Sequence, residues 1–411
     1  MPSATCNHYQ AITKKDERSA RRATSKPVHM PYTTASKLPN QKTSIFSVMS
    51  AMAKEENALN LSQGFPDFGI DTQLIEYLHE GMINGHNQYA PMAGLPILRK
   101  QIASKTKKLH GRVYDVDDEI TVVPGATLGI FAVISAVVKG GDEVIIFDPA
   151  YDSYQPSIEL NGGIPIQIPL SFPDFSIDWN RVKNALSERT KLIIINSPHN
   201  PSGSILHQQD LDALRELVQD TKILILSDEV YEHIIFDGHK HISLAKDTGL
   251  SERTFITSSF GKTYHTTGWK MGYVLAPKHL TKVLREGYQF MAFSAHTPTQ
   301  YAFAKMLEDE STYLNLGKFY QKKRDLFREL VKDSRFEILP TDGSYFQLLS
   351  FRNISQESDV DFAERLTRQH KLASIPISVF YKDNIDHKVL RFCFAKKNET
   401  LIKAAEILCQ I

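Results

Sequence analysis

Cysteine is almost missing from this chain, with Cys6, Cys393 and Cys409 the only three among 411 residues. Spacing that irregular builds neither a disulfide framework nor a metal knuckle, so a reducing compartment, the cytoplasm, is the expected setting. No charge of one sign dominates: 48 Lys and Arg face 47 Asp and Glu, a net +1. Such a balance offers no electrostatic hold on nucleic acid or on an anionic membrane surface. Long hydrophobic runs are missing too. The most apolar stretch, Ile130 to Val138, is far short of the roughly 20 residues that span a bilayer. What remains is 42% apolar and 23% charged, a globular composition with ample core and room for two or three domains.

The most informative stretch runs Ser258-Ser259-Phe260-Gly261-Lys262-Thr263-Tyr264-His265-Thr266-Thr267-Gly268-Trp269-Lys270-Met271-Gly272, between the strand-like runs Thr254 to Thr257 and Tyr273 to Ala276. A lysine among hydroxyl and glycine residues is an amine that backbone can approach closely, which suits Schiff-base chemistry. Ser259 and Lys270 can hold a phosphate by a hydroxyl hydrogen bond and a charge. A solvated surface lysine is the plain alternative.

Elsewhere the chain reads in order. Residues 1–40 lack apolar periodicity, and Lys14, Lys15, Arg18, Arg21, Arg22 and Lys26 outnumber Asp16 and Glu17. This suggests a disordered extension, or a start at Met30, more than an organelle transit segment. Ile45 to Asn57 and Leu95 to Leu109 have helical spacing, the second stopped by Gly111. Thr121 to Leu128 is a strand, a tight turn and a helix start, where Gly125, Ala126 and Thr127 can cradle an anion. Three buried strands end before or at polar residues: 141–147 before Asp148, 191–196 at Asn196, and 222–227 before Asp228. Ligand contacts gather beyond such strand ends. The last quarter alternates short strands and helices, as a smaller α/β domain does. There Arg391 stands between apolar residues, costly to bury unpaired and shaped for a carboxylate.

Together these motifs resemble the fold-type I pyridoxal-phosphate (PLP) aminotransferases over roughly residues 38–411. Ser259-x-x-Lys262, then Gly268-x-Lys270-x-Gly272, is similar to the family's S-x-x-K and G-x-R-x-G, with lysine in place of arginine. That exchange keeps the charge and loses the bidentate fork. Asn196 to Gly203 matches N-x-P-x-N-P-x-G, and Asp228 to Tyr231 matches D-E-V-Y. Leu61 to Asp67 matches L-x-x-G-x-P-D, and Tyr89 to Arg99 matches Y-x-x-x-x-G-x-x-x-L-R. The resemblance implies an α/β, aspartate aminotransferase-like fold with a mostly parallel seven-stranded sheet. Its expected layout is an extension (1–40), an arm or part of the small domain (41–65), a large cofactor domain (66–295) and a small domain (296–411). It implies PLP held by Lys262, with Gly125, Ala126, Thr127, Ser259 and Lys270 at the phosphate. Tyr151 would stack on the ring, Asp228 pair with its nitrogen, and Asn200 and Tyr231 flank its phenolic oxygen. Substrate would meet Gly64, Asn200 and Arg391, and Tyr89 would reach the other site of a homodimer. No metal, nucleic-acid or membrane partner is implied.

Within that family, Ser-Phe-Gly-Lys-Thr and Gly-Trp-Lys are similar to the kynurenine/methionine branch. Gln88 to Met92 and Ser378 to Tyr381 are most similar to its bacterial methionine aminotransferases. The expected reaction is ping-pong transfer from a neutral amino acid, methionine first and aromatic ones besides, to a 2-oxo acid. No arginine lies between Tyr288 and Pro298, where dicarboxylate-specific relatives carry one. Phe65, Tyr151, Tyr264, Phe380 and Tyr381 would line the side-chain pocket. Two alternatives stand beside this: a kynurenine/glutamine aminotransferase with β-lyase activity on cysteine S-conjugates, and a PLP-sensing regulator domain. The second needs a DNA-binding domain, for which the N-terminal segment is short and shapeless.

Overall fold

Successive strand residues face opposite ways, and this chain makes both faces of its strands apolar. In the computed structural model, which describes residues 34–39, 41 and 43–411, seven strands form one sheet. Their spatial order is Ile120–Val123, Gly272–Leu275, Thr254–Ser259, Leu224–Asp228, Thr190–Asn196, Glu143–Asp148, Ile164–Pro169. Gly272–Leu275 runs antiparallel to both neighbours, and the remaining pairs are parallel. Ile145, Ile193, Ile195 and Ile225 pack on one side with Leu211 and Leu214 of the Gln208–Val218 helix. Val144, Ile146, Leu192, Ile194 and Leu226 pack on the other with the Ala126–Val137 and Lys278–Met291 helices. A parallel sheet covered on both faces requires such continuous apolar strands. Each of these side chains, fully buried, contributes about 1.5–3 kcal/mol, which offsets the polar groups buried at the strand ends.

Those ends are aligned by register. Asn196 lies opposite Asp228, Asp228 opposite Thr257, Ser259 opposite Gly272, and Gly272 opposite Val123. Polar residues far apart in sequence thus meet at one end of the strands. Ile164–Pro169 has no counterpart in the sequence reading, because Pro165 and Pro169 argue against a strand; at a sheet edge prolines are tolerated.

A second, antiparallel sheet has the order Ile375–Pro376, Val389–Cys393, Phe346–Ser350, Glu337–Ile338. It sets Arg391 between Leu348 and Ile375. Leu59–Asn60 pairs with Leu372–Ala373, and the Cys393 amide donates to the Leu61 carbonyl. The Gly64 loop is thereby tied to this sheet.

The helix Thr297–Met306 packs by Phe303 and Met306 among Leu98, Ile102, Val122 and Ile256, in the core of the large sheet. We therefore propose that the small domain begins near residue 315 instead of 296. The basic residues read as an N-terminal extension lie, up to residue 33, outside the described residues. Among the described residues no helix is long and apolar enough to cross a membrane.

Candidate active site

Lys262 lies in a single helical turn, Phe260–Thr263, directly after the Thr254–Ser259 strand. The turn is anchored by Phe260, stacked on Phe303 at 4.6 Å and tilted against Tyr273. Lys262 Nζ donates to Tyr345 Oη at 2.8 Å and to the Gly64 carbonyl at 3.3 Å. Burial pushes this amine down to about 8, so near pH 8 about half of it is the neutral, nucleophilic form.

A cavity of about 170 Å³ opens beside it, lined by Gly125, Ala126, Thr127, Tyr151, Asn200, Asp228, Tyr231, Ser259, Lys262 and Lys270, with Asn196. One corner suits an anion. Gly125 adopts φ +85° and starts the Ala126–Val137 helix with no side-chain cap, leaving the amides of Ala126 and Thr127 without a partner among the described residues. A Cβ on Gly125 would meet Lys270 Cε at 3.2 Å and Nζ at 3.4 Å, so its lack of a side chain is what lets the ammonium reach the helix start. At Gly272, a Cβ would meet the Ser258 carbonyl at 2.6 Å and the Ala126 amide at 3.0 Å, so close strand-to-helix packing depends on that glycine too. Two free amides, an ammonium and the Ser259 hydroxyl could together hold a phosphate.

Asp228 ends its strand and is 4% exposed. Tyr154 Oη donates to its Oδ2 at 2.6 Å and the Val230 amide to its Oδ1 at 3.3 Å. Burial nonetheless raises the carboxyl to about 6. Among the described residues no cation forms an ion pair with it, Lys262 acting only from a distance, and a protonated ring nitrogen would supply a direct partner. Tyr151 Oη lies 3.4 Å from Thr127 Oγ1. The Tyr231 phenol, buried and pushed up by that burial, keeps its proton and remains a donor. Asn196 donates to the Asp228 carbonyl and accepts the Asn200 amide, which pins the Asn200 turn to the Asp228 strand.

Arg391 is wholly buried. Its Nη1 donates to Asn200 Oδ1 at 2.7 Å, its Nη2 to the Ser62 carbonyl at 2.8 Å, and its guanidinium lies 3.9 Å from the centre of the Phe346 ring. Nε has no partner among the described residues. Its direct hydrogen-bond partners are neutral, and the Asp152 carboxylate acts on it only from a distance, so a carboxylate delivered here is stabilised. Lysine, carboxylate, cradle, stacking ring and guanidinium fit the groups of PLP and an amino acid one by one.

Gly64 joins the site through its carbonyl, while Tyr89 stands apart, 83% exposed and edge-on to Phe293. The expected aromatic pocket is only partly assembled. Tyr151 lines the cavity, but Tyr264 is core: its ring packs on Phe303 and its Oη reaches Thr312. The short turn carrying Lys262 rotates Tyr264 away from it. Phe380 and Tyr381 are buried, Phe380 beside Phe46 with its ring 5.9 Å from the Arg391 guanidinium, and Tyr381 against His387. Two phenols not singled out from sequence touch the central groups: Tyr154 on Asp228 and Tyr345 on Lys262. Tyr154 lies three residues after Tyr151 at a helix start, a signal that was available; Tyr345 carries none.

Known proteins resemble this chain in sequence and fold. The aminotransferase class I and II family matches residues 56–408. The chain is 48% identical to the methionine aminotransferase of Escherichia coli over 382 residues, covering 93% of this chain and 99% of that protein. It is 33% identical to human kynurenine–oxoglutarate transaminase 3, covering 94% and 92%. The crystal structure of YbdL from Escherichia coli, described with a methionine aminotransferase function, matches with a TM-score of 0.91 at 48% identity, over 93% of this chain and all of that one. By family pattern, by sequence and by fold, this chain belongs to the class I and II aminotransferases.

Proposed function

We propose that this aminotransferase uses PLP to move the amino group of methionine to a 2-oxo acid. The observation that carries the reading is one cavity where a lysine of lowered pKa, a carboxylate of raised pKa and a helix-start anion cradle meet. Methionine is favoured by the 48% identity to the Escherichia coli methionine aminotransferase, and by the lack of arginine between Tyr288 and Pro298.

Bound PLP supplies an electron sink for the pair left when the substrate loses its Cα proton. The protein's own groups do the rest. Lys262 would hold the cofactor through its amine, which is free again once substrate is bound. The amides of Ala126 and Thr127, with Ser259 and Lys270, take the phosphate. Asp228, steadied by Tyr154, keeps a proton on the ring nitrogen. Asn200 Oδ1 is engaged by Arg391, which leaves its Nδ2 to donate, with Tyr231, to the phenolic oxygen. Arg391 takes the α-carboxylate and orients the Cα–H bond. The freed Lys262 removes that proton as a base and returns it as an acid. Exposed Tyr89 and Phe293 suit a homodimer in which Tyr89 completes the neighbouring site. Free Cys393 and Cys409 suit a cytoplasmic setting.

The test is the visible spectrum of the purified protein with PLP. Methionine alone should bleach the yellow band, and a 2-oxo acid should restore it. Lys262→Ala should bind PLP without forming the imine and lose turnover. Aspartate outcompeting methionine overturns the substrate reading; a protein that takes up no PLP overturns the cofactor.

A further inference from the structure

Tyr345 immediately precedes the Phe346–Ser350 strand and is wholly buried. Its ring is gripped from three sides, edge-on to Tyr231 at 5.0 Å and to Phe346 at 4.9 Å, and tilted against Tyr320 at 5.7 Å. Its oxygen bonds both to the Gly64 carbonyl and, at 2.8 Å, to Lys262 Nζ. A carbonyl only accepts, so the single phenol proton goes to Gly64 and the phenol lone pair faces the amine. Burial keeps that proton on the phenol. Lys262 Nζ therefore has two acceptors, Tyr345 Oη and the Gly64 carbonyl, which are bonded to each other and lie on one side of it. A neutral amine has two N–H groups and one lone pair. With both N–H groups engaged, the lone pair faces away from that side, toward the cavity.

We propose that Tyr345 is a positioning residue that aims the lone pair of Lys262 at the substrate's Cα–H bond. The inference rests on the PLP aminotransferase reading above. The neutral amine takes the Cα proton, and the electron pair of the broken bond passes to the cofactor. Of the three protons then on nitrogen, two remain bonded to Tyr345 and Gly64. The third, the one just taken, is handed to the accepting carbon, and the amine is neutral again. The proton returned is thus the proton removed.

Tyr345→Phe keeps the ring and deletes the acceptor; Tyr320→Phe, a buried phenol whose oxygen has no hydrogen-bond partner among the described residues, is the control. With Cα-deuterated methionine, Tyr345→Phe should lower kcat about tenfold, the size of one hydrogen bond to a charged group, with KM within about twofold. The deuterium isotope effect on kcat should rise, and the label recovered at the accepting carbon should fall. In the full chain freed of cofactor, the Lys262 amine, followed by isotopic reductive methylation, should titrate lower than in the parent, because its ammonium has lost an acceptor. The Tyr320→Phe protein should match the parent throughout. Parent-like isotope effect, label recovery and titration in Tyr345→Phe would overturn the inference, as would a loss confined to stability or PLP affinity. Turnover surviving in Lys262→Ala would instead overturn the aminotransferase reading itself, whatever Tyr345 does.

Discussion

Asp228→Asn should act in opposite directions with and without the cofactor. The Asp228 carboxyl titrates at about 6 against an ordinary 3.8, because burial outweighs the donors Tyr154 and Val230. Its folded-state pKa is raised, so between pH 3.8 and 6 the folded chain binds more protons than the unfolded one. Stability therefore falls as pH rises through that window, and the full penalty is present above it. A shift of about two units, at about 1.4 kcal/mol each, is on the order of 3 kcal/mol. Asparagine keeps one oxygen, enough to accept from Tyr154 or from Val230 but not from both, and carries no charge. Freed of PLP, Asp228→Asn should be more stable than the parent by about 1–3 kcal/mol at pH 8, with almost no difference near pH 4. Urea melts at one protein concentration and several pH values measure this. Loaded with PLP, the variant loses the counter-charge for the ring proton, and kcat should fall roughly 10²–10³-fold, about 3–4 kcal/mol. A stability difference that stays flat from pH 4 to pH 8 would refute the account of a carboxylate strained by burial.

Other consequences are sharper in kinetics than in stability. Arg391→Lys keeps a charge but cannot serve Asn200, Ser62 and a carboxylate together; KM for methionine should rise about 100-fold while the PLP band forms normally. Gly125→Ala places a side chain at φ +85° and 3.2 Å from Lys270; PLP affinity should weaken at least about tenfold, read by titrating the cofactor-free protein. Tyr154→Phe removes the 2.6 Å donor from Asp228, so kcat should fall about tenfold, less than in Asp228→Asn. Each outcome separates a group that holds the cofactor from one that tunes it.

What the sequence made legible follows from how the site is built. Asn196, Asp228 and Ser259 each end a strand, and a strand with its polar terminator is a local pattern. The cradle at Gly125 is local too, a strand followed within three residues by a helix start. Register then brings these ends together, while the roles of Tyr151, Asn200 and Tyr231 came only from the resemblance to the aminotransferase family. The groups that set their protonation come from packing, which leaves no local trace. The sequence reading puts Tyr264 in the substrate's side-chain pocket, yet the one-turn helix sends that ring into the core against Phe303. The phenol that does reach the amine arrives from 83 positions away, on a different sheet. Tyr154 shows the intermediate case, near Tyr151 in sequence but bonded to a carboxylate 74 residues distant. The same division explains Thr297–Met306, whose helical pattern was plain but whose choice of core was not. Chemistry displayed at element ends can be read in one dimension, whereas the pKa values that make it work depend on neighbours that only the folded chain supplies.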